Sequence, residues 1–153
     1  MNIETIPSQR IFYIRRIGEY GTGNLKLMTI LKERLKQANL FNEDLVIYGI
    51  AWSGPNTPKE QCVYDVCATV SASQKKIEGM EESVLESGKY EIYKVKHTKE
   101  AVQAFWMEWR QSDIQNKQSF VVDFDRPILE RYRVKQIDTG YCEFCVPIDS
   151  LES

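Results

Sequence analysis

A single carboxylate interrupts the apolar face of a predicted strand near the end of the sequence. Side chains alternate along residues 126–134, and this alternation places Glu130 on the apolar face. The residues that share this face are Ile128, Tyr132 and Val134. Removing a lone carboxylate from water costs at least about 2–5 kcal/mol unless it is paired, protonated or facing a wet cavity. Three interpretations follow: an internal arginine or lysine neutralises Glu130, the two faces of this strand are assigned wrongly, or Glu130 belongs to a pocket that uses its charge.

Aromatic side chains that could form the walls of such a pocket make up 11% of the chain. Those near the predicted last strands and second helix are Tyr48, Trp52, Tyr64, Trp106, Trp109, Tyr132 and Tyr141. Aromatic walls suit flat ligands, and a cationic ligand gains roughly 0.5–2 kcal/mol from each good contact with a ring face. Glu130 would then be the counter-ion of the ligand. Core packing is the competing interpretation, above all for Trp106 and Trp109, which recur at helical spacing.

The four cysteines have spacings that invite a zinc interpretation. Cys142 and Cys145 are separated by two residues, as in a zinc knuckle, but they lie in a predicted strand. On a strand, residues i and i+3 point to opposite faces, and the same parity separates Cys62 from Cys67. We therefore expect no metal and no cofactor, and we interpret the cysteines as small apolar side chains in a reducing compartment.

Other catalytic patterns are weaker. The single histidine, His97, has no serine or cysteine nucleophile motif around it and is expected at the surface. The glycine-rich turn at 18–23 lacks the Lys-Ser/Thr pair of a phosphate-binding loop. Asp65 and Glu143 occupy similar places in the two halves of the chain. A hydrolase that uses this pair of carboxylates is therefore an alternative function.

Length and charge restrict the class of protein. We expect one domain over residues 1–153, because a chain of 153 residues can bury a core of its own. The formal net charge is −2, the sequence pI is about 5.6, and no basic tract occurs, so direct nucleic-acid binding is not expected. No apolar run approaches the roughly 18 residues of a membrane span, and no signal peptide opens the chain. We expect a cytoplasmic protein that does not enter membranes.

Two similar halves, about 8–72 and 88–150, are predicted to position these side chains. The first contains strands at 10–17, 45–52 and 62–70, with a helix that ends near Asn39. The second contains strands at 90–97, 128–134 and 141–148, with a helix that is capped by Thr98 and ends near Ser112. Residues 71–89 look like a connection with a short helical turn around Met80.

The simplest architecture for this order is a duplicated α+β unit, strand-helix-strand-strand repeated in tandem. It predicts a curved antiparallel sheet with two main helices packed on it. The seam between the halves is a natural central cleft.

Four stretches of sequence follow one another in a characteristic order: residues 12–21, 48–52 with 64–67, 126–132, and 142–148. Together they resemble the GyrI-like small-molecule-binding family, also called the AraC-type effector-binding domain. The resemblance covers nearly the whole chain. It implies the same tandem fold and a central pocket for lipophilic, often cationic compounds, with a glutamate that supplies negative charge.

Carried over residue by residue, the resemblance implies a set of ligand-binding side chains. Glu130 is the counter-ion, and Tyr132 and Tyr141 line the pocket. The further candidate walls are Tyr20, Trp52, Tyr64 and Trp106, the last taken from the aromatic cluster. The sequence has no room for the DNA-binding helix-turn-helix of many relatives. We therefore expect a free-standing domain that senses or sequesters drugs or toxins, or that contacts a protein partner such as gyrase or a regulator.

Hydrolysis is the alternative function. Some free-standing relatives open strained cyclopropane rings in DNA-alkylating natural products, and they need a pocket glutamate with neighbouring aromatic residues. In such an enzyme Glu130 would position or deprotonate a water, while Tyr141 would polarise the carbonyl that accepts the electrons. The same residues serve both functions, and binding is the preferred interpretation.

Overall fold

The computed structural model describes residues 2–53, 57–110, 121–123 and 125–149. Within these ranges it has nine strands and two α-helices. The strands are β1 (Ile3–Ile6), β2 (Gln9–Ile17), β3 (Val46–Ala51), β4 (Val63–Thr69), β5 (Glu81–Leu85), β6 (Gly88–Lys96), β7 (Val121–Val122), β8 (Leu129–Arg133) and β9 (Tyr141–Asp149). The helices are α1 (Thr22–Gln37) and α2 (Lys99–Arg110), and two short 3-10 helices cover Lys59–Gln61 and Val134–Thr139.

The sheet confirms the predicted tandem α+β fold. Eight strands pair antiparallel in the order β1-β6-β9-β8-β3-β4-β2-β5, and β7 pairs with the end of β9. The first half is β2-α1-β3-β4 and the second is β6-α2-β8-β9, and they meet where β8 pairs with β3. The seam between the halves is therefore a continuous part of one sheet.

Two outer strands were not predicted. β1 pairs with β6 of the second half, and β5 pairs with β2 of the first half. The expected helical turn around Met80 is wrong, because strand β5 begins at Glu81 instead. In β5 only Leu85 is buried, so this edge strand carries none of the apolar alternation by which a strand is recognised from sequence.

Both faces of the sheet are apolar: one packs against the helices, and the other packs the strands of the curled sheet against each other. On one face Leu31 and Leu35 of α1 and Phe105 of α2 pack on the strands. On the other face Ile6 of β1 and Leu85 of β5 share a single buried cluster, which shows that the sheet curls and brings its outer strands towards each other. Neither of the two α-helices in the described ranges has the length and hydropathy of a membrane span.

Local signals explain how the second helix begins. The Thr98 side-chain oxygen accepts a hydrogen bond from the backbone N–H of Ala101 at 3.2 Å, as expected of an N-cap. Phe105 is buried, and Val102 and Trp106 pack beside it. The predicted end of this helix at Ser112 and the side chain of Trp109 lie outside the described residues.

The cysteines follow strand parity. Cys142 belongs to the cluster under α2, whereas Cys145 belongs to the cluster on the opposite face. All four thiols are free and buried. Burial raises the pKa of Cys67, Cys142 and Cys145 to about 12, so these thiols stay protonated at neutral pH.

Candidate functional site

Glu130 lies at the seam between the two halves. It stands in β8 opposite Gly49 of β3 on one side and Phe144 of β9 on the other. Its side chain points to the helix face of the sheet, because Tyr132, two residues along the same strand, packs in the clusters under both helices. Elements from both repeats therefore surround the carboxylate.

Two tyrosines donate hydrogen bonds to one oxygen of Glu130. The hydroxyl of Tyr132 lies 2.9 Å from Glu130 Oε2, and that of Tyr64, from β4, lies 3.2 Å from the same atom. Burial raises the pKa of Glu130, and the hydrogen bonds from Tyr132 and Tyr64 oppose that effect. The site thus holds a carboxyl group that is harder to ionise than an exposed one, beside two phenols.

Gly49 creates the space in which Tyr64 reaches Glu130. β4 is two strands away from β8, and β3 lies between them. A Cβ on Gly49 would overlap the Tyr64 hydroxyl and lie 3.0 Å from Glu130 Oε2. Sequence reasoning missed this residue, although a glycine between the buried Tyr48 and Ile50 in a strand is a signal of close approach.

Replacing Gly49 by alanine is expected to push the Tyr64 hydroxyl away and to raise the pKa of Glu130 further, since one of the two hydrogen bonds that lower it is lost. The lost bond is worth about 1 kcal/mol, so the fold should persist. A titration of the Glu130 carboxyl carbon by NMR measures the change. Tyr64→Phe is the control and should shift the pKa in the same direction, with no further shift in the double variant. An unchanged Glu130 titration in Gly49→Ala would contradict this role.

Glu130 is not neutralised by an internal cation among the described residues. The arginines near it in sequence or on neighbouring strands have other partners. Arg131 binds Glu4 at 2.6 Å and Glu143 at 3.0 Å, on the opposite face of β8. The described residues therefore do not support the interpretation that an internal arginine or lysine neutralises Glu130.

The two carboxylates of the weaker hydrolase alternative are also engaged elsewhere. Asp65 accepts two hydrogen bonds from the Arg15 guanidinium, at 2.8 and 2.9 Å. Glu143 pairs with Arg131. Asp65 and Glu143 are thus each paired with an arginine. Glu130 differs from them, because its hydrogen-bond partners are tyrosines. No cluster of three or more His, Cys, Asp or Glu side chains suited to a metal occurs in the described part of the chain.

Two further predicted aromatic residues lie around the Glu130 group. Tyr20 contacts the Tyr64 ring edge-on, with centroids 6.0 Å apart, and donates its hydroxyl to the carbonyl of Val63 at 2.7 Å. Trp106 contacts Phe144 edge-on at 5.4 Å. Phe144 is the strand partner of Glu130, so Tyr20 and Trp106 extend the aromatic surroundings on opposite sides.

The structure does not bring Trp52 and Tyr141 to the carboxylate. The Trp52 indole donates to Asp65 Oδ2 at 2.7 Å, on the face of the sheet away from the helices, and the residue is 48% exposed. Tyr141 begins β9, is 37% exposed, and has the Lys94 ammonium 4.7 Å from its ring centre. Tyr64 and Tyr132 stand where the hydrolase hypothesis placed Tyr141.

Comparisons with known proteins agree with this fold. A curated relative, the "SPbeta prophage-derived putative transcriptional regulator YosT" of Bacillus subtilis (strain 168), is 38% identical over 150 residues, which are 97% of this chain and 98% of the relative. The EcmrR C-terminal domain superposes with a TM-score of 0.71 at 13% identity, over 98% of this chain and 97% of that one. The structure of SAV2435 bound to tetraphenylphosphonium superposes with a TM-score of 0.61 at 17% identity, over 99% and 94% of the two chains.

The two structural likenesses are too distant in sequence to show more than a shared fold. The family assignment rests on sequence instead. The family described as the GyrI-like small molecule binding domain matches residues 1–149, which is nearly the whole chain. This chain therefore belongs to the GyrI-like small-molecule-binding family.

Proposed function

We propose that this chain binds lipophilic organic cations with aromatic groups beside Glu130, and thereby senses or sequesters drugs or toxins. The observation that carries the proposal is the Glu130 carboxylate itself. It lies under the helices, receives two tyrosine hydroxyls, and has no cationic partner among the described residues. A ligand cation would supply the missing positive charge.

Energetics support a cation as the ligand. Opposite charges 4 Å apart attract by about 4 kcal/mol at an effective dielectric constant of 20, which is typical of partly buried pairs. Aromatic faces attract the same ligand, and Tyr64, Tyr132 and Phe144 all lie next to the carboxylate. SAV2435, one of the proteins that share this fold, was solved bound to tetraphenylphosphonium, a lipophilic cation.

Access to the carboxylate involves the tyrosines. Both hydroxyls point at Glu130 Oε2, so a ligand that approaches this oxygen must displace at least one of them. A phenol that leaves the carboxylate can turn its ring towards the ligand, since side-chain rotation is inexpensive compared with the gain of an ion pair. Tyr132, which is partly buried at the edge of both helix-face clusters, is the side chain we expect to move.

The direct test compares two probes of the same shape and opposite charge. Tetraphenylphosphonium should bind the wild-type protein saturably, whereas tetraphenylborate should not, because the borate meets a carboxylate instead of a counter-ion. Isothermal titration calorimetry measures both. Equal binding of the two probes would show that apolar contact alone drives association, and absence of binding by either would remove the proposal.

Hydrolysis is the second candidate, and the raised pKa of Glu130 favours it, because a general base works best with a pKa near the working pH. Glu130 would take a proton from a water whose oxygen bonds to a cyclopropane carbon. The ring C–C bond breaks, and its electron pair passes to a conjugated carbonyl whose oxygen accepts a hydrogen bond from the phenol of Tyr64 or Tyr132. Glu130 then gives the proton that it took from water to that oxygen, which regenerates the carboxylate. Product formation from a cyclopropane-bearing compound, lost in Glu130→Gln, would establish this activity.

The biological setting stays a prediction from the sequence. We propose a cytoplasmic role without direct nucleic-acid binding, consistent with the net charge of −2. A protein partner, either gyrase or a transcription regulator, fits the family and the name of the Bacillus subtilis relative. Co-purification with and without a bound cation would test whether the ligand controls such a contact.

A further inference from the structure

A small hollow adjoins the Glu130 site on the Tyr132 side. It has a volume of about 20 Å³ and lies at the ends of the strands that flank the seam. Its walls include Lys32, Phe41, His97, Tyr132, Arg133 and Tyr141. A volume of this size holds about one water-sized polar atom. Tyr132 belongs to both places, since its hydroxyl binds Glu130 and its ring lies 5.1 Å from the His97 ring.

The basic side chains that line this hollow are Lys32, His97 and Arg133, in contrast to the acidic Glu130 on the other side of Tyr132. Arg133 contacts Glu143 at 3.3 Å and Glu4 at 3.8 Å, so its charge is compensated. Burial lowers the pKa of His97, and Lys32 lowers it further, which keeps this imidazole neutral at pH 7. No acidic side chain is among the residues that line the hollow.

Lys32 is the uncompensated group. It is half-buried on α1, and within the described ranges no carboxylate forms an ion pair with its ammonium. An ammonium donates up to three hydrogen bonds and accepts none, so the atom that fits beside it is an oxygen acceptor. An unpaired cation and an unpaired carboxylate thus lie on two sides of Tyr132.

We propose that the hollow is an acceptor subsite, in which Lys32 holds a carboxylate or carbonyl oxygen of the same ligand whose positive charge faces Glu130. This inference rests on the proposed function and narrows its ligand class. The preferred ligands are lipophilic zwitterions, or cations that carry an oxygen acceptor, and not simple hydrophobic cations. When Tyr132 turns away from Glu130, the two subsites become one continuous site.

The test uses two phosphonium probes and one lysine variant. One probe is tetraphenylphosphonium, and the other is a triphenylphosphonium whose fourth group is a short alkyl chain ending in a carboxylate. Lys32→Met should weaken binding of the carboxylate probe by about tenfold or more, because a charge-assisted hydrogen bond is lost. Binding of tetraphenylphosphonium should change by less than about twofold or become tighter, since a repulsive charge is removed.

The control variant is Lys26→Met, which removes one exposed positive charge from the same helix away from the hollow. It should leave the affinity of both probes unchanged, and circular dichroism checks that both variants fold.

The proposal of a subsite is overturned if Lys32→Met weakens the binding of both probes equally, or if Lys26→Met weakens the carboxylate probe as much as Lys32→Met does. If tetraphenylphosphonium binds in a Glu130-dependent way and Lys32→Met leaves the carboxylate probe unchanged, only the subsite fails. If neither probe binds the wild type, the proposed function fails and the subsite with it.

Discussion

Replacing Glu130 by glutamine is expected to weaken binding of tetraphenylphosphonium tenfold or more, a loss of at least about 1.4 kcal/mol. Glutamine keeps the size of the side chain and an oxygen that Tyr64 and Tyr132 can still donate to. It removes only the negative charge. Because no other acidic side chain shares this hydrogen-bonded group, nothing in the described residues replaces that charge.

The pH dependence of binding is an independent sign of the same charge. Burial raises the pKa of Glu130, so the carboxyl is protonated over a wider range of acidic pH than an exposed glutamate. A cation binds the ionised form, and wild-type affinity should therefore rise as pH increases through the folded-state pKa. Affinity of Glu130→Gln should be flat over the same interval. A pH-dependent affinity that is identical in both proteins would assign the titration to another group.

A folding control accompanies this variant. The raised pKa means that ionised Glu130 destabilises the fold, and this destabilisation is present above the folded-state pKa and disappears below the unfolded-state value. Glu130→Gln removes the charge at every pH. Its thermal midpoint at pH 8 should therefore equal or exceed that of the wild type, so weaker ligand binding cannot be attributed to unfolding.

Replacing Arg131 by alanine is expected to lower the free energy of unfolding by about 3 kcal/mol, near the lower end of the range for breaking a buried ion pair. The Arg131 side chain is only 3% exposed and binds two carboxylates, Glu143 within the sheet and Glu4 from the outer strand β1. Alanine leaves both without their principal partner. Urea denaturation followed by circular dichroism measures the difference.

Arg133→Ala is the matched control, because Arg133 contacts the same two carboxylates but its side chain is 28% exposed. It should cost about 1 kcal/mol or less, as partly exposed ion pairs do. The charge argument also predicts a rescue. Arg131→Met combined with Glu4→Gln and Glu143→Gln should recover most of the lost free energy of unfolding, because no carboxylate is then left without its partner. Equal costs for Arg131→Ala and Arg133→Ala would show that burial of Arg131 contributes nothing.

The acid sensitivity of this network has a defined direction. The hydrogen bond and charge of Arg131 lower the pKa of Glu4, against the opposing effect of its burial. A carboxylate with a depressed folded-state pKa stabilises the protein above its unfolded-state pKa, and that contribution is lost as pH falls through the folded-state value. The cost of Arg131→Ala should therefore shrink in strongly acidic solution.

Periodicity predicted the long elements well, and failed where the pattern was short or polar. The strands around Ile14, Val66 and Ile92 are seven to nine residues long, and they occur as expected. The outer strands β1 and β5 have four and five residues and mostly exposed side chains. Their pairing is decided by the open edges of the sheet, which offer unpaired backbone groups to whatever segment lies beside them.

The site was predictable in part for the same reason. Alternation correctly placed Glu130 and Tyr132 on one face, since both belong to a single strand. The contact between Tyr64 and Glu130 joins two strands separated by β3, so it depends on strand order and on the absence of a Cβ at Gly49. Trp52 was proposed as a pocket wall from the resemblance, and the structure places its indole beside Asp65, on the face of the sheet away from Glu130.

The family, the repeated order of strands and helices, and the presence of a carboxylate on an apolar face could all be read from the amino-acid sequence. These follow from local periodicity and from residues close together in the chain. Strand order and packing, in contrast, select the tyrosines that bind Glu130 and direct the neighbouring arginines to Glu4 and Glu143. They also bring Lys32 close to Tyr132, where no carboxylate of the described residues pairs with it. The physical reason is that hydrogen bonds and ion pairs act over about 3–4 Å, and the pairing and curvature of the strands determine which side chains come that close.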